Sequence, residues 1–295
     1  NTTVNSIQFD ITAPATGASV TGLPSGLSGN YSNNKFTISG SPTVSGTFEY
    51  TVTTTGSCVQ KSQKGIIIVY AKPEVEAIED VVGCNDFDID EINFSGNIDD
   101  PNGYFEWTND NVSIGLPASG NGNIPAFTAT NPGSTSVIAK ITVTPISYGC
   151  LGNSKTFEIK VNPTINVGYE IPPVSCNGSG DGKIEITNTS GGNANYRYSL
   201  DGTNFVTSTN FKNLAGGIYT LYVKDTEVCE TSYEFTIDEP EELSVTAPTS
   251  TSESCYGGVN NVHDGAITAG IPTGGNGDYS YSLDNTNFQS SPNFT

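Results

Sequence analysis

Three polar clusters in this chain have the residue types of a cation site. Asn177-Gly-Ser179-Gly-Asp181-Gly182 places oxygen donors at alternate positions with a glycine sixth, like the opening of a calcium loop. Its twelfth position is Asn188 where a bidentate Glu is needed, so its glycines are read as turn residues at positive φ. Asp86-Phe87-Asp88-Ile89-Asp90-Glu91 is read as a strand with three aspartates on one face and Phe87 and Ile89 on the other. Such a row attracts cations weakly and discourages edge-to-edge pairing. Asp99-Asp100-Pro-Asn-Gly103 is a turn signal. Asp86, Asp88, Asp90, Asp99, Asp100 and Asp181 together form a candidate weak calcium set, and no other cofactor is expected.

Catalytic chemistry finds little to work with. A single histidine, His263, gives neither a zinc set nor a Ser/His/Asp arrangement, and there is no Cys-x-x-Cys. Gly-rich turns here do not open helices, as phosphate loops must. Acidic pairs abound, but units this small do not form the deep cleft a glycosidase dyad needs. The chain is therefore read as non-enzymatic. Two aromatic features have the chemistry of a sugar platform. Tyr196, Tyr198 and Leu200, repeated as Tyr279, Tyr281 and Leu283, alternate with polar residues as a half-buried strand requires, and the lone Trp107 in Tyr104-Phe-Glu-Trp-Thr suits a central strand. Both are read as core.

The six cysteines occupy two kinds of place. Cys58, Cys150 and Cys229 fall in the turns of three predicted hairpins, whereas Cys84, Cys176 and Cys255 each follow a Pro-containing opening segment. The expected pairs are Cys84–Cys150 and Cys176–Cys229, each inside one unit, with Cys58 and Cys255 pairing outside this sequence. Disulfides imply an oxidising, extracellular setting. A crosslink between a unit's opening loop and its closing hairpin would hold the residues between them out of any extension when the unit is pulled from its ends.

The elements that must position these residues are strands. Thr, Val, Ile, Tyr and Phe alternate with polar residues between Gly, Asn, Pro and Ser clusters, giving an all-β expectation. Pro73, Pro163 and Pro240 each stand between two predicted strands and are read as joints. The expected units are residues 1–71, 72–163, 164–240 and 241–295: a tandem array of Ig-like β-sandwiches, three complete or nearly so and the last truncated, with the parent chain continuing at both ends. Linkers of a few residues imply contact between neighbours. The formal charge of −20 is uneven: residues 1–70 carry three basic and two acidic side chains, 71–163 four and thirteen, 164–240 four and ten, and 241–295 none and six. A nucleic-acid partner needs basic patches and is not expected. No window approaches the 18 or so apolar residues of a membrane span.

The last two units are one module read twice. Tyr198-Ser-Leu-Asp201, Asn204-Phe205 and Asn210-Phe211 recur as Tyr281-Ser-Leu-Asp284, Asn287-Phe288 and Asn293-Phe294, with a constant offset of 83 from Asp181 onward. Repetition of this kind marks an array that spaces, binds or presents. Cys176-Asn-Gly-Ser-Gly-Asp-Gly, Tyr-Arg-Tyr-Ser-Leu-Asp and Asn213-Leu-Ala-Gly-Gly-Ile-Tyr-Thr-Leu-Tyr-Val-Lys-Asp resemble the SprB repeat. Cys255 to Thr295 follows the same pattern, with a four-residue insertion that contains His263. Gly22-Leu-Pro-Ser-Gly-Leu27 followed by Gly40-Ser-Pro and Gly46-Thr-Phe resembles Ig-like repeats of bacterial surface proteins. The Trp107 unit is similar to PKD-like sandwiches.

The SprB resemblance implies a giant surface adhesin of gliding Bacteroidetes, exported by the type IX pathway. On this reading the segment is a non-catalytic stalk or presenting array at the cell surface, acting in attachment and gliding motility. Its partners are then an extracellular surface or polysaccharide and other copies in a filament. The other reading is a glycan-binding accessory region of a secreted polysaccharide-degrading enzyme.

Overall fold

Most strands among the described residues are short, because turn residues interrupt the alternating apolar pattern after a few positions, with Gly46–Thr55 and Val137–Ser147 the long exceptions. The computed structural model describes residues 5–56, 59–252 and 265–295. All its elements are strands except one 3-10 turn, Val112–Ile114, whose Asn111 cap accepts from the Ser113 N–H.

The first sandwich packs the three-stranded sheet Ile7–Asp10, Lys35–Gly40, Leu27–Ser32 on the sheet Gly17–Thr21, Gly46–Thr55, Ser62–Val69. Along Gly46–Thr55 the alternation sends Phe48, Tyr50 and Val52 inward, where Tyr50 and Val52 are buried with Phe36, Ile38 and Ile67. The second is built on a six-stranded sheet. Its central strands Tyr104–Asn109, Val137–Ser147 and Lys155–Asn162 are antiparallel, while Val81–Cys84 lies parallel to Lys155–Asn162. Trp107 is buried there with Ile141, Val143, Phe157 and Ile159, as its central-strand pattern predicts.

The third sandwich faces Asn166–Glu170, Gly182–Ser190 and Asn210–Leu214 against Arg197–Ser199, Gly217–Lys224 and Glu230–Ile237. Tyr198 is buried among Ile184, Leu221, Val223, Phe235 and Ile237, with Tyr196 and Leu200 packed at the edge of this core, so this copy of the tyrosine ladder is core, whereas in the second copy Leu283 is exposed and Tyr279 and Tyr281 are only half-buried. The fourth group pairs Ser244–Val245 with Pro272–Thr273, and Thr249–Thr251 with Ala266–Thr268 and Asn293–Phe294. Leu243, Val245, Tyr281, Leu283 and Phe288 line an open groove on the face that Gly217–Lys224 and Glu230–Ile237 cover in the third sandwich.

Two expectations need correction. Cys84 is bonded to Cys229, with 5.6 Å between Cα atoms, and Cys150 and Cys176 carry free thiols. The expected pairs fail on distance. Cys84 is in register with Asn162 at the far end of Lys155–Asn162, whereas Cys150 precedes the near end of that strand. Seven residues of strand span roughly 23 Å, against the roughly 4.4–6.8 Å that a disulfide tolerates. Cys229 likewise precedes Glu230–Ile237, while Cys176 lies at the opposite end of the third sandwich, where Asn177 donates to the Pro240 carbonyl. Cys58 and Cys255 lie outside the described residues.

The acidic row is the second correction. Only Asp88–Ile89 is strand, Asp86 turns at φ 63°, and Phe87 is exposed beside the aspartates instead of packing with the buried Ile89.

Candidate functional site: the joint between the second and third sandwiches

A buried carboxylate builds one half of this joint. Asp225 is 6% exposed and accepts from the backbone N–H groups of Asn193, Glu227 and Cys229 at 2.8, 2.9 and 3.0 Å. The Glu227 and Cys229 donors close the turn between Gly217–Lys224 and Glu230–Ile237 and fix where their side chains leave it, while Asn193 ties the turn to the loop after Gly182–Ser190. The other half is a strand end. Val82 and Cys84 on Val81–Cys84 are in register with Lys160 and Asn162, so Cys84, Lys160 and Asn162 reach the same edge of the second sandwich.

The halves meet through one covalent bond and several polar ones. Cys84 and Cys229, each 3% exposed, form the disulfide, and Cys84 packs in the third core beside Ile165. Lys160 Nζ donates to both Glu227 carboxylate oxygens at 2.9 and 3.0 Å and to Asn193 Oδ1 at 3.2 Å. The fully buried Asn162 donates to Glu227 Oε2 at 2.7 Å while accepting from Ser136 Oγ. Burial pushes the Glu227 carboxyl up, but the hydrogen bonds from Lys160 and Asn162 and the Lys160 charge outweigh it. Its pKa therefore lies below the ordinary carboxylate value. Asn85 donates to Thr164 Oγ1, the Gly192 N–H to the Pro163 carbonyl, and Tyr233 to the Ile165 carbonyl, so the linker is held on both sides.

The joint between the first and second sandwiches repeats the plan without the covalent bond. In the second sandwich the Tyr148 turn reaches back toward the first, and Tyr148 stacks on Tyr70 with ring centroids 3.5 Å apart. Lys72 donates to Asn153 nearby, and Glu74 bridges to Asn153. Asp99 and Asp100 serve this turn: Asp100 accepts from the Tyr148 N–H and the Asp99 carbonyl from the Tyr148 hydroxyl. Beyond the third sandwich, Asn276 donates to the Ser175 carbonyl.

The candidate calcium residues are spread over separate places. Asp86, Asp88 and Asp90 lie along one exposed edge, Asp88 accepting from Thr128 Oγ1 at 2.7 Å. Asp99 and Asp100 sit at the first joint. Asp181 accepts from the Ser175 N–H and from Ser179 Oγ, bonds that lower its pKa, and Gly178 and Gly180 take positive φ as turn residues. Among the described residues no group of three or more His, Cys, Asp or Glu could hold a metal ion, and no catalytic arrangement is assembled.

The sequence reading did not single out Asp201 and Asp284 as structural groups. Asp201 accepts from Ser199 Oγ, the N–H groups of Thr203 and Asn204, and Asn204 Nδ2 at 2.6–2.8 Å. Asp284 repeats the set with Ser282, Thr286 and Asn287 at 2.6–2.9 Å. The Asn204 and Asn287 backbone donors, with the other bonds in each turn, depress both carboxyl pKa values strongly. The constant 83-residue offset was the signal for this pair.

Residues 168–205 match the SprB repeat. They run from Asn166–Glu170 through the Cys176 turn to Phe205, so the matched stretch holds the buried Tyr198 and the Asp201 turn. No curated protein matches this chain. Among solved structures, a three-immunoglobulin-domain fragment of titin is 13% identical, with TM-score 0.44, covering 79% of this chain and 91% of the fragment. Extracellular domains 3–5 of Drosophila OTK are 11% identical, with TM-score 0.38, covering 72% and 77%. No helix among the described residues is long and apolar enough to cross a membrane. The described residues form a run of small, mostly antiparallel β-sandwiches, the third of which carries the SprB-repeat match.

Proposed function

We propose that this chain is a stalk segment of a secreted cell-surface adhesin, with units at 1–71, 72–163, 164–240 and 241–295 that extend and present the protein in attachment and gliding. The observation that carries the reading is the serial construction of its joints. At each of the first two, the hairpin turn of the following sandwich reaches back across a proline-containing linker and docks on its predecessor. Such joints resist bending, which a spacer needs. The SprB match over 168–205 supports a role with other repeat-bearing surface proteins, and the disulfide supports export to an oxidising setting. Weak contacts from many repeats add through effective concentration, so a single unit need not bind measurably.

The test is replacement in the cell that bears the protein. Exchanging this segment for an unrelated row of β-sandwiches of equal length preserves attachment and gliding if the segment is a spacer, whereas deleting it impairs both. Loss of attachment with the length-matched replacement would contradict the stalk and favour direct recognition of a surface by these units.

A further inference from the structure

We propose that the Cys84–Cys229 bond diverts tension across the joint, so that a pull on the chain's ends bypasses residues 85–228. The bond links the second sandwich to the third, across a sequence separation of 145. A pull entering at Pro73 travels eleven residues to Cys84, the last four of them already extended as Val81–Cys84. It crosses the disulfide and leaves along Glu230–Ile237, reaching Pro240 eleven residues after Cys229. The taut line is thus strand, disulfide, strand.

Everything else in these two sandwiches hangs from that line as a closed loop. The central strands around Trp107, the Pro163 linker, the repeated Asp201 turn and the Lys160–Glu227 pair all lie between residues 84 and 229 and carry no end-to-end load. A crosslink inside each unit, the arrangement expected from the cysteine pattern, would have left the Pro163 linker in the line of force. The observed bond takes it out. Either core can open without releasing the residues between Cys84 and Cys229, because the covalent line follows only one strand of each sandwich. Both sulfurs are buried at the joint, so folding itself shields the bond from reductants.

This inference deepens the stalk reading and rests on it only for its purpose, since contour length and cell attachment are separate readouts. The experiment is single-molecule pulling of the full chain through handles at both ends, first oxidised and then in dithiothreitol, which reduces the disulfide to two cysteine thiols and is itself oxidised to a cyclic disulfide. Reduction is expected to lengthen the fully extended chain by roughly 50 nm, the contour of the 145-residue separation at about 3.3–3.6 Å per residue. Cys84→Ser alone is expected to release that whole increment, and Cys150→Ser none of it. Equal oxidised and reduced lengths would overturn the proposal, and so would release of only about half by Cys84→Ser, the signature of two separate loops. Should Cys84→Ser fail to fold, reduction of the natural chain while it is held unfolded under force, where the disulfide is exposed, decides the question by itself.

Discussion

A carboxylate whose lone pairs are filled by its own turn is a structural group, whatever its resemblance to a cation ligand. Asp201 and Asp284 are such groups, and Asp100 and Asp181 behave alike, which is why an acidic chain gathers no metal set among its described residues. Trp107 shows the opposite economy, a large ring enclosed so fully that its Nε1 finds no acceptor. Gly120 on the neighbouring strand makes room for it, since a Cβ there would sit 2.3 Å from the indole. Gly120→Ala is therefore expected to destabilise the second sandwich by about 1–3 kcal/mol, the usual cost of overpacking, read as a shift in its urea midpoint. Trp107 and Tyr198 were legible as core because strand alternation dictates a face. The acidic row was not. Asp86 leaves the strand at positive φ, which moves Phe87 to the exposed side, and nothing in residue type announces that turn.

At the scale of elements, the hairpin turn is the organising device. Asp225 closes one turn and presents Cys229 and Glu227, while Asp99 and Asp100 brace the turn that presents Tyr148. The depressed Glu227 pKa gives the second joint a pH dependence whose sign follows from linkage. Its folded value is below the unfolded one, so its contribution is present above the unfolded value of about 4.3 and fades as pH falls through the folded value. Lys160→Ala removes two hydrogen bonds and the charge, leaving burial to act against the Asn162 and Asn193 side chains. The Glu227 carboxyl is then expected to titrate higher than in the natural chain, a shift that NMR titration reads directly; an unmoved titration would show that the pair does not form. Strands and hairpins were legible as alternating runs. The cysteine pairing was not, because the pattern marks turns and openings without saying which end of a sandwich each occupies. Only the parallel pairing of Val81–Cys84 with Lys155–Asn162 places Cys84 at the end remote from Cys150.

Across the whole molecule, the repeat and the joints argue for a row of sandwiches. A compact globular particle of 295 residues would have a radius of gyration near 19 Å, roughly, from chain-length scaling. Small-angle scattering of the oxidised chain is expected to give a value well above that, unchanged by added calcium because its candidate carboxylates lie in separate turns; a value near the compact limit would remove the row. In the chain-entropy picture, closing a loop of this length adds about 5 kcal/mol to the joined pair, comparable to the stability of a small domain. The bond that crosses from one sandwich to the next is thus the central feature of the stalk. Proteolysis of the oxidised chain without reductant, followed by mass spectrometry of the crosslinked peptides, tests this most directly. A single species joining the Cys84 and Cys229 peptides is the predicted result; peptides joining Cys84 to Cys150 or Cys176 to Cys229 would contradict it.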